Sequence, residues 1–105
     1  MFARLVTMPL KADSSSVAKA HEKDVIPLLR THKGFLDEIV LVTSDGQTAF
    51  GISFWDSKES AEAYHRSSYS KVMKALEAVL AGPAKVQLCE VTNSTAHKIA
   101  AALAA

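Results

Sequence analysis

The sequence predicts an α+β domain with the element order βαββαβ, the split-βαβ or ferredoxin-like pattern, built on an antiparallel sheet. Three observations indicate it: apolar runs that alternate with helical stripes in that order, an Asp45-Gly46 pair between two apolar runs, and a length of 105 residues. That length suits one domain, and 49% hydrophobic residues suit a packed core. Right-handed crossovers would place both helices on one face of the sheet.

The first strand and an interrupted helix make up the N-terminal part. Residues 2–8 form a mostly apolar run that ends at Pro9, which is typical of a strand. A helical stripe follows, consisting of Val17, His21, Val25, Leu28, Leu29 and His32. Pro27 lacks a backbone donor and clashes one turn back, so we expect a break near residues 24–26. Gly34 would end the segment, because glycine tolerates the left-handed cap.

A hairpin forms the centre of the chain. Residues 35–43 and 48–55 flank Asp45 and Gly46. An Asp-Gly pair between apolar runs predicts a two-residue turn in which both residues have positive φ.

Two helices are predicted after the hairpin. Asp56 and Glu59 have capping-box spacing, with Ser57 as a competing cap, ahead of a helix over residues 58–66. A second helix carries the stripe Tyr69, Val72, Met73, Leu76, Val79 and Leu80 and ends at Gly82.

The last strand and an alanine-rich tail complete the chain. Residues 84–92 alternate as a strand does, and a final helix is expected over residues 96–104. We assign residues 1–92 to a single domain and residues 93–105 to a C-terminal helical tail.

The hairpin register divides its residues between two faces of the sheet. One face carries the pairs Leu41–Phe50, Ile39–Ile52 and Asp37–Phe54, and we expect the helices to cover it. The other carries the pairs Val42–Ala49, Val40–Gly51, Glu38–Ser53 and Leu36–Trp55. That second face is too apolar for solvent, so we expect a second copy of the chain to cover it. Its small residues leave either a hollow or room for a second backbone.

Composition excludes several classes of partner. The net charge of +1 gives no pull toward nucleic acid or anionic membrane. The only cysteine, Cys89, cannot form an internal disulfide, and the N-terminus lacks the pattern of a signal peptide, so we expect a cytoplasmic protein. The four histidines lack the spacing of a helical metal site and no glycine-rich phosphate loop occurs, so no metal or cofactor is predicted.

Residues 54–69 (FWDSKESAEAYHRSSY) resemble the W-x-S-x-E-A…H/Y…S…F/Y stretch of the dimeric α/β-barrel proteins, and in particular of the antibiotic biosynthesis monooxygenase-like group. Residues 27–35 (PLLRTHKGF) resemble that group's passage from first helix into second strand. The resemblance covers about residues 2–92. It implies a homodimer of ferredoxin-like subunits whose sheets form a barrel, with a pocket between sheet and helices.

Some members of that group oxidise quinols or phenols with molecular oxygen and no cofactor. Removing a phenolic proton gives an electron-rich anion that can donate an electron to oxygen, so the protein need supply only a base and a dry pocket. Other members degrade haem. Against that activity, Tyr64 stands where a tryptophan is expected, Lys74 stands where the iron-binding histidine is expected, and residues 2–8 lack an asparagine.

Three residues are candidate proton handlers. Tyr64, like Tyr69, falls where quinol-oxidising relatives often carry a histidine, and the alternative for Tyr64 is a hydrogen-bonded core tyrosine. His65 is displaced by one position from that pattern and is of a residue type suited to general-base catalysis, but it also lies in a polar stretch that suits a solvated surface. Glu38 could be a buried base, lie on a wet rim, or pair with Arg4 across the dimer.

The pocket candidates are Trp55, Ser53, Gly51 and Tyr69. Trp55 matches the family's tryptophan at the end of the third strand, and its alternative is a core or interface anchor. Tyr69 begins a strong apolar stripe, which favours core packing. His21 lies on an apolar stripe and is interpreted as a hydrogen-bonded core histidine.

Two functions remain open. The first is a cofactor-independent monooxygenase that acts on a small aromatic quinol- or phenol-like substrate. The second is a non-catalytic homodimer that binds a small apolar molecule or serves in a stress response.

Overall fold

The computed structural model describes residues 1–11 and 14–96. Its elements are β1 (Phe2–Pro9), α1 (Ser14–Ala20), a π-helical segment (His21–Val25), α2 (Ile26–Leu29), β2 (Phe35–Val42), β3 (Thr48–Trp55), α3 (Lys58–Ser67), α4 (Tyr69–Leu76), a 3₁₀ turn (Glu77–Val79) and β4 (Lys85–Glu90). The strands form one antiparallel sheet in the order β2-β3-β1-β4. This confirms the predicted α+β, ferredoxin-like arrangement. Residues 93–96 have no regular structure, and the rest of the predicted tail helix lies outside the described residues.

The expected break in the first helix takes the form of the π-helical segment. The amide of Ile26 donates to the carbonyl of His21, five residues back, so the turn before Pro27 is wider than an α-turn. Pro27 accounts for it, because its ring displaces the carbonyl one turn earlier and it has no N–H to donate. Gly34 ends the segment with φ +85°, as predicted.

The hairpin has the predicted register but a different turn. Only glycines have positive φ among the described residues, so Asp45 does not, and the predicted two-residue turn is wrong. The amide of Gly46 donates to the Thr43 carbonyl at 2.8 Å, within a four-residue loop. Both loop geometries keep Thr43 opposite Thr48, whose carbonyl accepts from the Thr43 amide at 2.9 Å. The pairs Leu41–Phe50, Ile39–Ile52, Val40–Gly51 and Glu38–Ser53 therefore form as expected.

The assignment of the two sheet faces was wrong and must be exchanged. The helices cover the face of Ala49, Gly51, Ser53 and Trp55, which are all buried. The covered face carries the smaller side chains of β3, which leave room above the sheet for the helical layer. The predicted Leu36–Trp55 pair is replaced by Phe35–Trp55, because β2 carries a bulge between residues 35 and 37.

The opposite, open face carries the large apolar side chains. Its members on three strands are Leu5, Ile39, Leu41, Phe50, Ile52 and Phe54. Ile39 is 43% exposed and Leu41 50% exposed. The open face is therefore more apolar than the face that we expected to meet a partner.

No helix in the described part of the chain is both long and apolar enough to cross a membrane.

Candidate functional site

Three polar side chains form a row across the sheet, on the face that the helices cover. Glu38 of β2 is opposite Ser53 of β3, which is opposite Arg4 of β1. Strand alternation points all three toward the helices. Neighbouring strands lie about 4.8 Å apart, so Glu38 and Arg4 stand at the two ends of a row about 10 Å long between backbones. The small residues Ser53 and Gly51 lie between them.

A small cavity lies above this row, between the sheet and the helical layer. Its lining comprises Arg4, Val6, Met8, His21, Val25, Leu29, Glu38, Gly51, Ser53, Tyr64, Tyr69, Val72, Met73 and Leu76. The cavity has a volume of about 30 Å³. That space is far smaller than a usual ligand pocket of ~300 Å³ or more. A larger ligand therefore has to displace flexible side chains, of which Met8 and Met73 are the most adaptable.

Glu38 and His21 form a buried pair at one end of the cavity. His21 Nε2 lies 3.1 Å from Glu38 Oε1, and the two side chains are 8% and 9% exposed. The second carboxylate oxygen of Glu38, Oε2, is buried without a hydrogen-bond partner in the described structure. Buried polar atoms are nearly always satisfied, so an unpartnered carboxylate oxygen beside a cavity marks a place where a ligand proton or water can bind.

Arg4 occupies the other end of the cavity. It is only 4% exposed. Its Nη2 donates to His65 Nδ1 at 2.9 Å, and its Cζ lies 4.9 Å and 4.8 Å from the ring centres of Tyr64 and Tyr69. Burial lowers the pKa of the Arg4 guanidinium below its ordinary value. The aromatic faces and the histidine nitrogen compensate part of this desolvation.

Both tyrosines stay neutral at physiological pH. Burial raises the pKa of Tyr64 to about 12, and burial also raises the pKa of Tyr69. A neutral phenol donates a hydrogen bond, so Tyr64 can present a proton to a ligand but cannot act as a base near neutral pH.

Five of the seven predicted site residues line the cavity: Glu38, Ser53, Gly51, Tyr64 and Tyr69. His65 does not line it. It is exposed, accepts from Arg4 and stacks on Tyr69 with ring centres 4.9 Å apart. Trp55 does not line it either, because it is fully buried behind Tyr64, at 5.1 Å between ring centres, and donates from Nε1 to Ser53 Oγ at 2.9 Å.

Sequence reasoning missed two cavity residues. His21 was interpreted as a hydrogen-bonded core histidine, which is confirmed, but its partner Glu38 and its place at the cavity were not foreseen. Arg4 was considered only as a partner from a second subunit, whereas it reaches the cavity of its own chain. A correct assignment of the two sheet faces would have placed Glu38, Ser53 and Arg4 under the helices, and would thereby have indicated both residues.

No group of three or more histidine, cysteine, aspartate or glutamate side chains suited to a metal ion occurs within residues 1–11 and 14–96.

The strands and helices together form a ferredoxin-like fold with a small cavity between sheet and helices, and the lining of this cavity includes Glu38, His21 and Arg4. No family sequence model matches the chain, and no curated protein matches it significantly.

Solved structures match the fold over about 90% of the chain. A monooxygenase from the gene ActVA-Orf6 of Streptomyces coelicolor, solved with the ligand nanaomycin D, has a TM-score of 0.76 and 19% identity, covering 89% of this chain and 88% of its own. SnoaB, a cofactor-independent oxygenase from Streptomyces nogalater, has a TM-score of 0.74 and 10% identity, with coverages of 91% and 97%. A protein from Nitrosomonas europaea proposed to be an antibiotic biosynthesis monooxygenase has a TM-score of 0.66 and 16% identity, with coverages of 83% and 86%. The resemblance found in the sequence is therefore confirmed for the fold.

Proposed function

We propose that this protein is a cofactor-independent monooxygenase that oxidises a small aromatic quinol- or phenol-like substrate with molecular oxygen. The observation that carries the proposal is the buried, unpartnered Oε2 of Glu38 at an aromatic-lined cavity. The shared fold of a cofactor-independent oxygenase, and of a monooxygenase solved with nanaomycin D, supports it.

The proposed reaction begins with proton transfer from the substrate hydroxyl to Glu38 Oε2. His21 holds the other carboxylate oxygen and fixes its direction. The substrate anion then gives one electron to oxygen, and the resulting radical and superoxide combine to form a carbon–oxygen bond. Glu38 returns the proton to the peroxide, and loss of water across the former C–H bond leaves a new carbonyl. Both oxygen atoms and all four electrons are thus accounted for.

The other candidates take supporting roles. Tyr64 donates a hydrogen bond as a neutral phenol, and Ser53, Gly51 and Tyr69 contact the substrate. Trp55 forms the wall behind Tyr64. His65 acts through Arg4, whose position it fixes, rather than by touching the substrate.

Oxygen uptake with a panel of hydroquinones and anthrone-like phenols tests the proposal. We expect turnover that survives metal chelation and falls about 10²-fold or more in Glu38→Gln, because the amide cannot accept the proton. Glu62→Gln is the matched control, since Glu62 is exposed and forms only a 4.0 Å pair with Lys58. Undiminished turnover in Glu38→Gln would contradict the role of Glu38, and no uptake with any phenol would contradict the reaction.

The second candidate function is a non-catalytic homodimer that binds a small molecule or serves in a stress response. The absence of histidine at positions 64 and 69 favours it, and a protein of unknown function from Nitrosomonas europaea shares the fold. Tight binding of an aromatic probe without oxygen uptake would support this function over the first.

The same proposal includes a homodimer formed through the open face. Large apolar side chains such as Ile39 and Leu41 would be covered by the matching face of a second copy, which a symmetric contact allows. Sedimentation should give a dimer at micromolar concentration, and Ile52→Lys should give a monomer because it places a charge at the centre of the open face. Ala63→Lys, on the exposed side of α3, is the control. A wild-type monomer at that concentration would overturn the dimer.

A further inference from the structure

We propose that the cavity selects aromatic ligands that carry an ionised oxygen, a phenolate or a carboxylate, and that Arg4 is the residue that binds this oxygen. The inference deepens the proposed function, since it uses the same cavity and names the charge of the ligand. It assigns a specificity-determining role to a residue of β1, at the end of the cavity opposite Glu38.

The first support is the state of the Arg4 charge. The guanidinium is buried; it donates to His65 Nδ1, lies over two tyrosine rings, and interacts with the Tyr64 hydroxyl and, beyond ion-pair distance, with Glu38. The ion pairs recorded in residues 1–11 and 14–96 are His21 with Glu38 and Lys58 with Glu62, and neither includes Arg4. Buried charges are usually paired, so a buried cation at a cavity indicates a site for an anion.

The second support is the direction and availability of its donors. A guanidinium carries five N–H donors in a planar fork, and His65 accepts from only one nitrogen, Nη2. The rings of Tyr64 and Tyr69 hold the plane in place, because a cation is attracted to aromatic faces at these distances. Such a preorganised fork suits a planar oxyanion better than a lysine would.

The third support is the charge order along the cavity. Glu38, with an unpartnered acceptor, and Arg4, with its guanidinium fork, lie on either side of Ser53. The short side chains of Ser53 and Gly51 leave the floor low between them. A flat ring seated there would offer a hydroxyl proton to Glu38 and an anionic oxygen to Arg4. A neutral isostere would add no negative charge to the partial compensation that Glu38 and the two tyrosines already give the guanidinium.

Calorimetric titration under anaerobic conditions with naphthoate and its neutral carboxamide tests this inference. The two probes match in size and differ in charge. We expect wild type to bind naphthoate about 10-fold more tightly or better, which corresponds to ~1.4 kcal/mol. Arg4→Gln should abolish the preference, Arg4→Lys should retain part of it, and Arg66→Gln should keep it, since Arg66 is exposed on α3.

The outcomes separate this inference from the oxygenase proposal. Equal binding of the two probes by wild type, or an unchanged preference in folded Arg4→Gln, overturns the role of Arg4. Should Arg4→Gln fail to fold, Arg4→Lys decides: a preference identical to wild type overturns the role of the guanidinium fork. A naphthoate preference in a protein that consumes no oxygen would uphold the anion site and remove the oxygenase.

Discussion

Replacing Tyr64 with phenylalanine should change how the stability of the protein depends on alkaline pH. Burial raises the pKa of Tyr64 to about 12, whereas an unfolded chain releases the phenolic proton near pH ~10. Between these values the unfolded state binds fewer protons than the folded state, so the free energy of unfolding falls as the pH rises. A shift of about two units corresponds to ~2.7 kcal/mol in full, and about half of it is lost by pH ~11.

Denaturant unfolding at about pH 8 and about pH 11, followed by the fluorescence of Trp55, measures this loss. The loss between the two pH values should be ~1.4 kcal/mol larger for wild type than for Tyr64→Phe, because phenylalanine cannot ionise. Because each protein is compared with itself at the two pH values, any effect of the missing hydroxyl on the free energy of unfolding that does not depend on pH cancels. Tyr69→Phe is the matched control, and it should show a smaller difference because Tyr69 is less buried. An equal loss in wild type and Tyr64→Phe would refute a buried neutral phenol.

Two further predictions concern the backbone and access to the cavity. Gly34→Ala should lower the free energy of unfolding, measured with denaturant, by ~2–3 kcal/mol more than Gly46→Ala does. Both glycines have positive φ, but a Cβ at Gly34 would clash with the side chains of Asp56 and Ser60, whereas Gly46 has open space around it. Equal losses in the two variants would contradict this. Met73→Ala should increase the association rate of naphthoate measured by stopped-flow mixing, because Met73 borders both the cavity and an outer surface groove. An unchanged rate would place the access route elsewhere.

The element order was predictable because each element carries a local signal. Pro27 marks the break in the first helix, and the observed cap of α3 is Ser57, whose hydroxyl accepts from the Ser60 amide at 3.1 Å. Ser57 was the competing cap, so the preferred pair of Asp56 and Glu59 was wrong. The turn type was missed as well, because the Asp45 carboxylate accepts from the Gln47 amide at 3.0 Å and stabilises a longer loop that preserves the same register.

The candidate site was only partly predictable, because its members come together through long-range pairing. Glu38 and Ser53 follow from the hairpin register, which a local turn determines. Arg4 follows from the pairing of β1 with β3, which no short connection specifies. His21 depends on the wide π-turn, which rotates the helix ahead of Pro27 and cannot be placed from apolar spacing alone.

Because the two sheet faces are exchanged, the proposed dimer contact and the cavity lie on opposite faces of the sheet, and this has a testable consequence. Both hairpin faces are apolar, so polarity could not distinguish them; the helices cover the face with the smaller side chains of β3, among them Gly51 and Ser53. The cavity is consequently lined within one chain, while the proposed dimer contact lies on the other face of the sheet. Ile52→Lys should therefore abolish dimerisation yet leave naphthoate binding within about two-fold of wild type, as measured by calorimetry on the isolated monomer. If binding disappeared in a folded monomer, the second subunit would have to complete the cavity.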